Sequence, residues 1–146
     1  MPRLSRSIPT LCFAFTVGAN ALAAQRTRLC ADVTAERPAS MCFMGIAESL
    51  DVRLDTLVSE LKRSLPSSEF ARLQRVQDLW RASRDSTCSW ERDLFFGGTI
   101  ASRVEAKCEI ALTANRIGVL KVFLCPGAPV MSECAESRRY DTLPEP

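Results

Sequence analysis

The chain contains no histidine in its 146 residues. Ser-His-Asp and Cys-His catalysis each need an imidazole to move a proton, so both are excluded. The same lack, together with the absence of any Cys-x-x-Cys pair among the seven cysteines, argues against structural zinc. Strand signals are sparse. The best of them, Val119 to Leu124, fits better as the end of a helix. After the first twenty-odd residues no apolar run is long enough to cross a bilayer. Internal repeats and low-complexity tracts are missing, and Gly97-Gly98 lacks the lysine and the flanking strand of a phosphate loop. No cofactor and no metal is expected.

What is present begins with a short basic region, Met1-Pro2-Arg3-Leu4-Ser5-Arg6, an apolar run from Ile8 to Val17, and the small-residue pattern Ala21-Leu22-Ala23. This predicts a secretory signal peptide over residues 1–23. Cys12 lies inside the apolar run without the preceding small residues a lipidated cysteine needs, so removal is expected rather than a membrane anchor. Cleavage takes Arg3 and Arg6 from the 19 basic residues and leaves 17 against 17 acidic ones. A neutral mature chain gives no support to nucleic-acid binding, and none to a uniformly acidic decoy for a cationic partner.

Six cysteines remain: Cys30, Cys42, Cys88, Cys108, Cys125 and Cys134. An even number in an exported chain points to disulfides, with fifteen possible pairings. Proximity along the chain favours Cys30–Cys42, Cys88–Cys108 and Cys125–Cys134.

Apolar residues at Phe43, Ile46, Leu50, Leu54, Leu57 and Leu61 recur in steps of three and four. They predict an amphipathic helix starting near Pro38 and Ser40 and ending at Leu65-Pro66. Ser67 or Ser68 can cap a second helix, whose buried side carries Phe70, Leu73, Val76, Trp80 and Cys88 out to about Trp90. Asp93 to Thr99 reads as a loop. A third helical pattern runs from Ile100 through Val104, Cys108, Ala111, Leu112 and Val119 to Phe123, and Pro126-Gly127-Ala128-Pro129 stops it. The expectation is an all-α fold, a small three-helix, disulfide-stapled domain made of a helical hairpin and an N-terminal helix. It occupies residues 24–124, followed by a Cys-containing tail over 125–146 that is mobile from Arg138.

Within the second helix, Gln77, Trp80, Arg84 and Cys88 share one stripe. Trp80 is most simply a core residue. A covered Arg84 needs an acceptor, and Asp51, beside the apolar stripe of helix one, is the candidate; two separately solvated charges are the alternative. Carboxylates able to serve a two-acid hydrolase are Glu48, Asp51 and Asp55, or Asp85 and Glu91. Acidic residues at helical spacing are more often a solvated face, as an Arg81–Asp85 pair would be. The tip with Trp90, Leu94, Phe95, Phe96, Gly97, Gly98 and Thr99 has two readings: a satellite core under the loop, or a docking surface.

Cys30 and Cys42 twelve apart, Asp51 and Leu54, the pattern Gln77-x-x-Trp80-x-x-x-Arg84-Asp85-x-x-Cys88, Gly97-Gly98-Thr99, and Cys108-x3-Leu112-Thr113-x2-Arg116-x3-Leu120 together resemble the LprI-like family. That family comprises small exported helical domains named for similarity to a mycobacterial lysozyme inhibitor. Asp55 and Val58 stand where the family has Asn and Tyr, Pro38 interrupts the first cysteine segment, and the Cys125–Cys134 tail has no counterpart. The resemblance implies a periplasmic or secreted bacterial protein that acts by binding. Asp51, Gln77, Trp80, Arg84, Asp85 and Arg116 would be its structural motif. The partner it implies is a lysozyme-like muramidase; the apolar, glycine-hinged Trp90–Thr99 tip, read from the residues themselves, is the candidate contact. The alternative is another envelope protein, in a protein-interaction or toxin-immunity role without effect on lysozyme. A two-carboxylate hydrolase is the third reading.

Overall fold

The computed structural model describes residues 30–125, 127 and 134–142. The expected signal peptide, residues 1–23, lies outside them. Every regular element among the described residues is helical: α1 (Glu36–Ser64), α2 (Ser67–Asp93), α3 (Ala101–Leu120), a 3₁₀ turn (Lys121–Leu124) and a short α4 (Ala135–Arg138). The all-α expectation therefore holds.

The stripe on α1 does what its spacing demands. Ile46, Leu50, Leu54, Leu57 and Leu61 are all essentially inaccessible and form the spine of the core with Ile110, Ile117 and Leu120 of α3. Burial of each such side chain contributes about 1.5–3 kcal/mol. The helix starts at Glu36, four residues before Ser40. Pro38 sits inside the first turn, where a missing N–H has no intrahelical acceptor to disappoint. Ser40 is accordingly buried and caps nothing. Glu36 suits the positive end of the helix and pairs with Arg103 at 3.2 Å. At the other end Leu65 is extended, as a residue before proline prefers. The residue flanking α2 is Pro66, and no side chain caps that helix, so the expected Ser67 or Ser68 cap is not formed.

The central helix is α3. It packs along α1 on one side and α2 on the other, while α1 and α2 scarcely meet. Its buried Ala106, Ile110, Ile117 and Leu120 join the core with the α1 stripe, while Thr113 and Cys108 bond to Arg84 and Cys88 of α2. Val119, read from the sequence as part of the pattern, is half exposed, and so is Val76 on α2, contrary to its expected burial. In α2 the covered positions are instead Phe70, Gln77, Arg84 and Cys88. The last turn of α3 tightens into the 3₁₀ segment, as helix ends commonly do.

Cys30–Cys42, Cys88–Cys108 and Cys125–Cys134 are bonded as proximity favoured. The first ties the lead-in to α1, the second ties α2 to α3, and the third tethers the tail. That tail is not loose through Thr142. Tyr140 packs on the core beneath the Arg53 guanidinium, 5.3 Å from its ring, Lys121 pairs with Asp141, and Arg139 reaches Glu60 at 3.2 Å. These partners come from α1 and the 3₁₀ turn, so the docking depends on contacts distant in sequence.

Candidate functional site

Two features of the hairpin stand out: a buried polar cluster and an exposed apolar tip. The cluster centres on Arg84, only 7% exposed. Its Nη1 donates to Asp51 of α1 and, at 2.9 Å, to the Thr113 hydroxyl of α3. Its Nε donates to Asp85 at 2.9 Å. Burial alone lowers the affinity of this guanidinium for its proton, but the bonds to Asp51 and Asp85 outweigh burial and raise its pKa above the ordinary value. The anticipated Asp51–Arg84 contact is therefore present. The Arg81–Asp85 pair is not: Asp85 turns to Arg84, and Arg81 pairs across the helices with Asp55.

Trp80 packs against the core and lies between two guanidiniums, Arg84 at 5.3 Å and Arg116 at 5.6 Å from its ring centre. Arg116 Nε donates to Gln77 Oε1 at 2.9 Å. Asp51, Gln77, Trp80, Arg84, Asp85 and Arg116, scattered over 66 positions of sequence, are thus one cluster joining three helices. Asp51 and Asp85, two of the carboxylates considered for hydrolysis, are both committed to one guanidinium.

Glu109 completes this neighbourhood and was not singled out from the sequence. Burial raises its pKa from 4.5; Arg84 opposes the rise, and Glu105, Asp51 and Asp85 add to it. The available signal was the like-charged Glu105/Glu109 pair at i, i+4. A carboxyl whose pKa is raised by folding lets the native chain hold more protons than the unfolded chain just above pH 4.5. Stability therefore falls as pH rises through that window. Glu109→Gln is expected to raise the melting temperature at neutral pH, with the gain vanishing below the ordinary carboxylate range. Thermal melts across pH check this; a gain independent of pH contradicts it.

At the hairpin end the chain turns through 94–100. Phe96 is 97% exposed, Trp90 and Leu94 are more than half exposed, and Phe95 is open to a lesser degree. Of the two readings for the tip, the satellite core is not formed. The turn is nonetheless well bonded: Phe96 N–H donates to Asp93 O, Gly98 N–H to Phe95 O and Ala101 N–H to Gly98 O, at 3.1, 2.9 and 2.9 Å. Phe96 and Gly97 both adopt positive φ, 50° and 72°. Glycine suits the second of these, while the phenylalanine holds a conformation that costs energy outside glycine. A Cβ at Gly98 would meet Phe95 O at 3.2 Å. Below the tip, Arg92 clamps Glu105 of α3 at 2.7 Å, and Cys88–Cys108 closes the hairpin. Thr99 is exposed beside the glycines.

Among the described residues no group of three or more acidic or cysteine side chains is arranged to hold a metal ion, and no helix is long and apolar enough to cross a membrane. Comparison with curated proteins and with solved structures finds no match. The family model described as lysozyme inhibitor LprI matches residues 30–120, a span from the first disulfide to the end of α3 that takes in both the polar cluster and the tip. The chain belongs to the LprI family.

Proposed function

We propose that this chain is an exported binding protein that inhibits a lysozyme-like muramidase through the tip formed by Trp90, Phe95, Phe96, Gly97, Gly98 and Thr99. The family is one of inhibitors rather than catalysts, and three disulfides suit an oxidising compartment outside the cytoplasm. The observation that carries the reading is the nearly complete exposure of Phe96 on a turn held by backbone hydrogen bonds. Large aromatic side chains presented on a fixed backbone lose little entropy on binding and are typical energetic anchors of interfaces. With basic and acidic residues balanced after cleavage, affinity rests on this local apolar surface rather than on long-range steering.

The test is cell-wall clearing by lysozyme with the oxidised protein added. The expected result is a dose-dependent slowing, and Phe96→Asp should weaken it by about tenfold or more while leaving the helical circular-dichroism signal unchanged. Clearing that stays at full speed under a large molar excess of the wild-type protein overturns the proposal.

A further inference from the structure

At the end of the hairpin opposite the tip, residues from the end of α1, the start of α2 and the end of α3 line an apolar groove of about 470 Å³. Its floor is Leu61 and Leu120, both buried, and its rim is Val76, Val119 and Phe123, each about half exposed. A volume of this size falls in the range of small-molecule sites, roughly 300–1,000 Å³.

The polar side of the groove has a charge without a counter-charge. Arg116 lines it, and among the described residues its guanidinium meets the Trp80 ring and the Gln77 amide oxygen but no carboxylate. Burial pushes its pKa below the ordinary arginine value, with no acidic neighbour to offset the shift. The contrast with Arg84, which has two carboxylates, is direct. Beside it, Gln77 is 4% exposed and its Nε2 is buried with no acceptor. Buried donors of this kind are costly unless a partner arrives. The other arginine of the lining, Arg72, already pairs with Glu69 at 3.3 Å.

We propose that this groove binds a fatty carboxylate, its aliphatic chain on Leu61, Leu120, Val119 and Phe123 and its carboxylate on Arg116. Charge complementarity selects the head group, since an anion supplies the one interaction that Arg116 lacks. An aliphatic chain asks for no hydrogen bonds from the apolar walls. A peptide helix, about 10–12 Å across, would lie over such a groove instead of filling it. The proposal does not depend on the muramidase reading. Val76 and Trp90 are separated by about 20 Å along the helix axis, so the two surfaces can be tested apart.

The experiment titrates oxidised protein with laurate below its micelle concentration, by calorimetry and by NMR shift mapping, beside dodecyltrimethylammonium. Laurate should bind saturably, one per chain, with shifts centred on Val119 and Phe123. Dodecyltrimethylammonium should bind about tenfold more weakly or worse. Val119→Asp, at a half-exposed position compatible with folding, should abolish laurate binding, and Arg116→Gln should erase the preference for the anion. Lack of saturable laurate binding, equal affinity for both head groups, or binding unaffected by Val119→Asp each overturns the proposal.

Discussion

Replacing Cys88 and Cys108 together by alanine is expected to lower the unfolding free energy by about 3 kcal/mol. The bridge spans twenty residues of sequence and joins the two helices of the hairpin at buried positions. In the chain-entropy account the crosslink acts on the unfolded state, removing conformations that a loop of this length would otherwise explore. A second contribution comes from the native state, because Cys88 is fully covered and truncation of its sulfur leaves a small void. For a domain of this size the change corresponds to a fall in melting temperature on the order of 15 °C. Thermal unfolding followed by far-ultraviolet circular dichroism, without reductant, measures it. A double variant that melts within a few degrees of wild type would mean that packing alone secures the hairpin.

Arg84→Ala should destabilise by roughly 2–3 kcal/mol, below the loss seen when a fully buried ion pair is broken. The discount follows from exposure: Asp51 and Asp85 retain access to water, at 37% and 60% of their side-chain surface, and rehydrate when the guanidinium is gone. Thr113 has no such recourse. It is 1% exposed, and its hydroxyl loses the donor that reaches it. Trp80 also loses one of its two flanking cations. Lysine should not rescue the site, because an ammonium cannot bond Asp51, Asp85 and Thr113 in one plane while stacking on the indole. In a double-mutant cycle Asp51→Ala and Arg84→Ala should be coupled by about 1 kcal/mol. Additive losses measured by denaturant unfolding would reduce the pair to two independent surface charges.

The parts of this molecule that could be read from the sequence are those governed by local periodicity. Phe43 to Leu61 announces α1 because one face of a helix must be apolar when it lies against a neighbour. The unusual stripe of Gln77, Trp80, Arg84 and Cys88 correctly marks the covered side of α2, since polar side chains at helical spacing beside a cysteine and an indole need partners. Even the acceptor, Asp51, follows from its place beside the stripe of α1. Element boundaries were harder. Proline reads as a starting signal, yet the first turn of a helix tolerates it, so α1 begins before Pro38.

What the sequence hid is everything set by the relative placement of helices. That α3 is the central element decides that Ile117 and Thr113 are buried while Val119 is open, and no pattern within α3 reveals that it has two neighbours. The groove is lined by residues of all three long helices and the 3₁₀ turn, and Val76 on its rim is half exposed despite its apolar character. Arg116 was recognisable as part of a motif, but its lack of a carboxylate emerges only once Asp51 and Asp85 are seen to be taken by Arg84. The docked tail likewise rests on Tyr140 and Asp141 meeting α1 and the 3₁₀ turn.

Hydrogen exchange at the tip tests the central claim, that the apolar end of the hairpin is both open to a partner and already fixed in shape. In the oxidised protein the amides of Gly98 and Ala101, which donate to Phe95 and Gly98 carbonyls, should exchange roughly tenfold or more slowly than an unstructured peptide of the same sequence. Reduction of Cys88–Cys108 should remove most of that protection. Free-coil exchange at both amides with the disulfide intact would show a tip without a fixed shape, and the account of a preformed binding surface would fail.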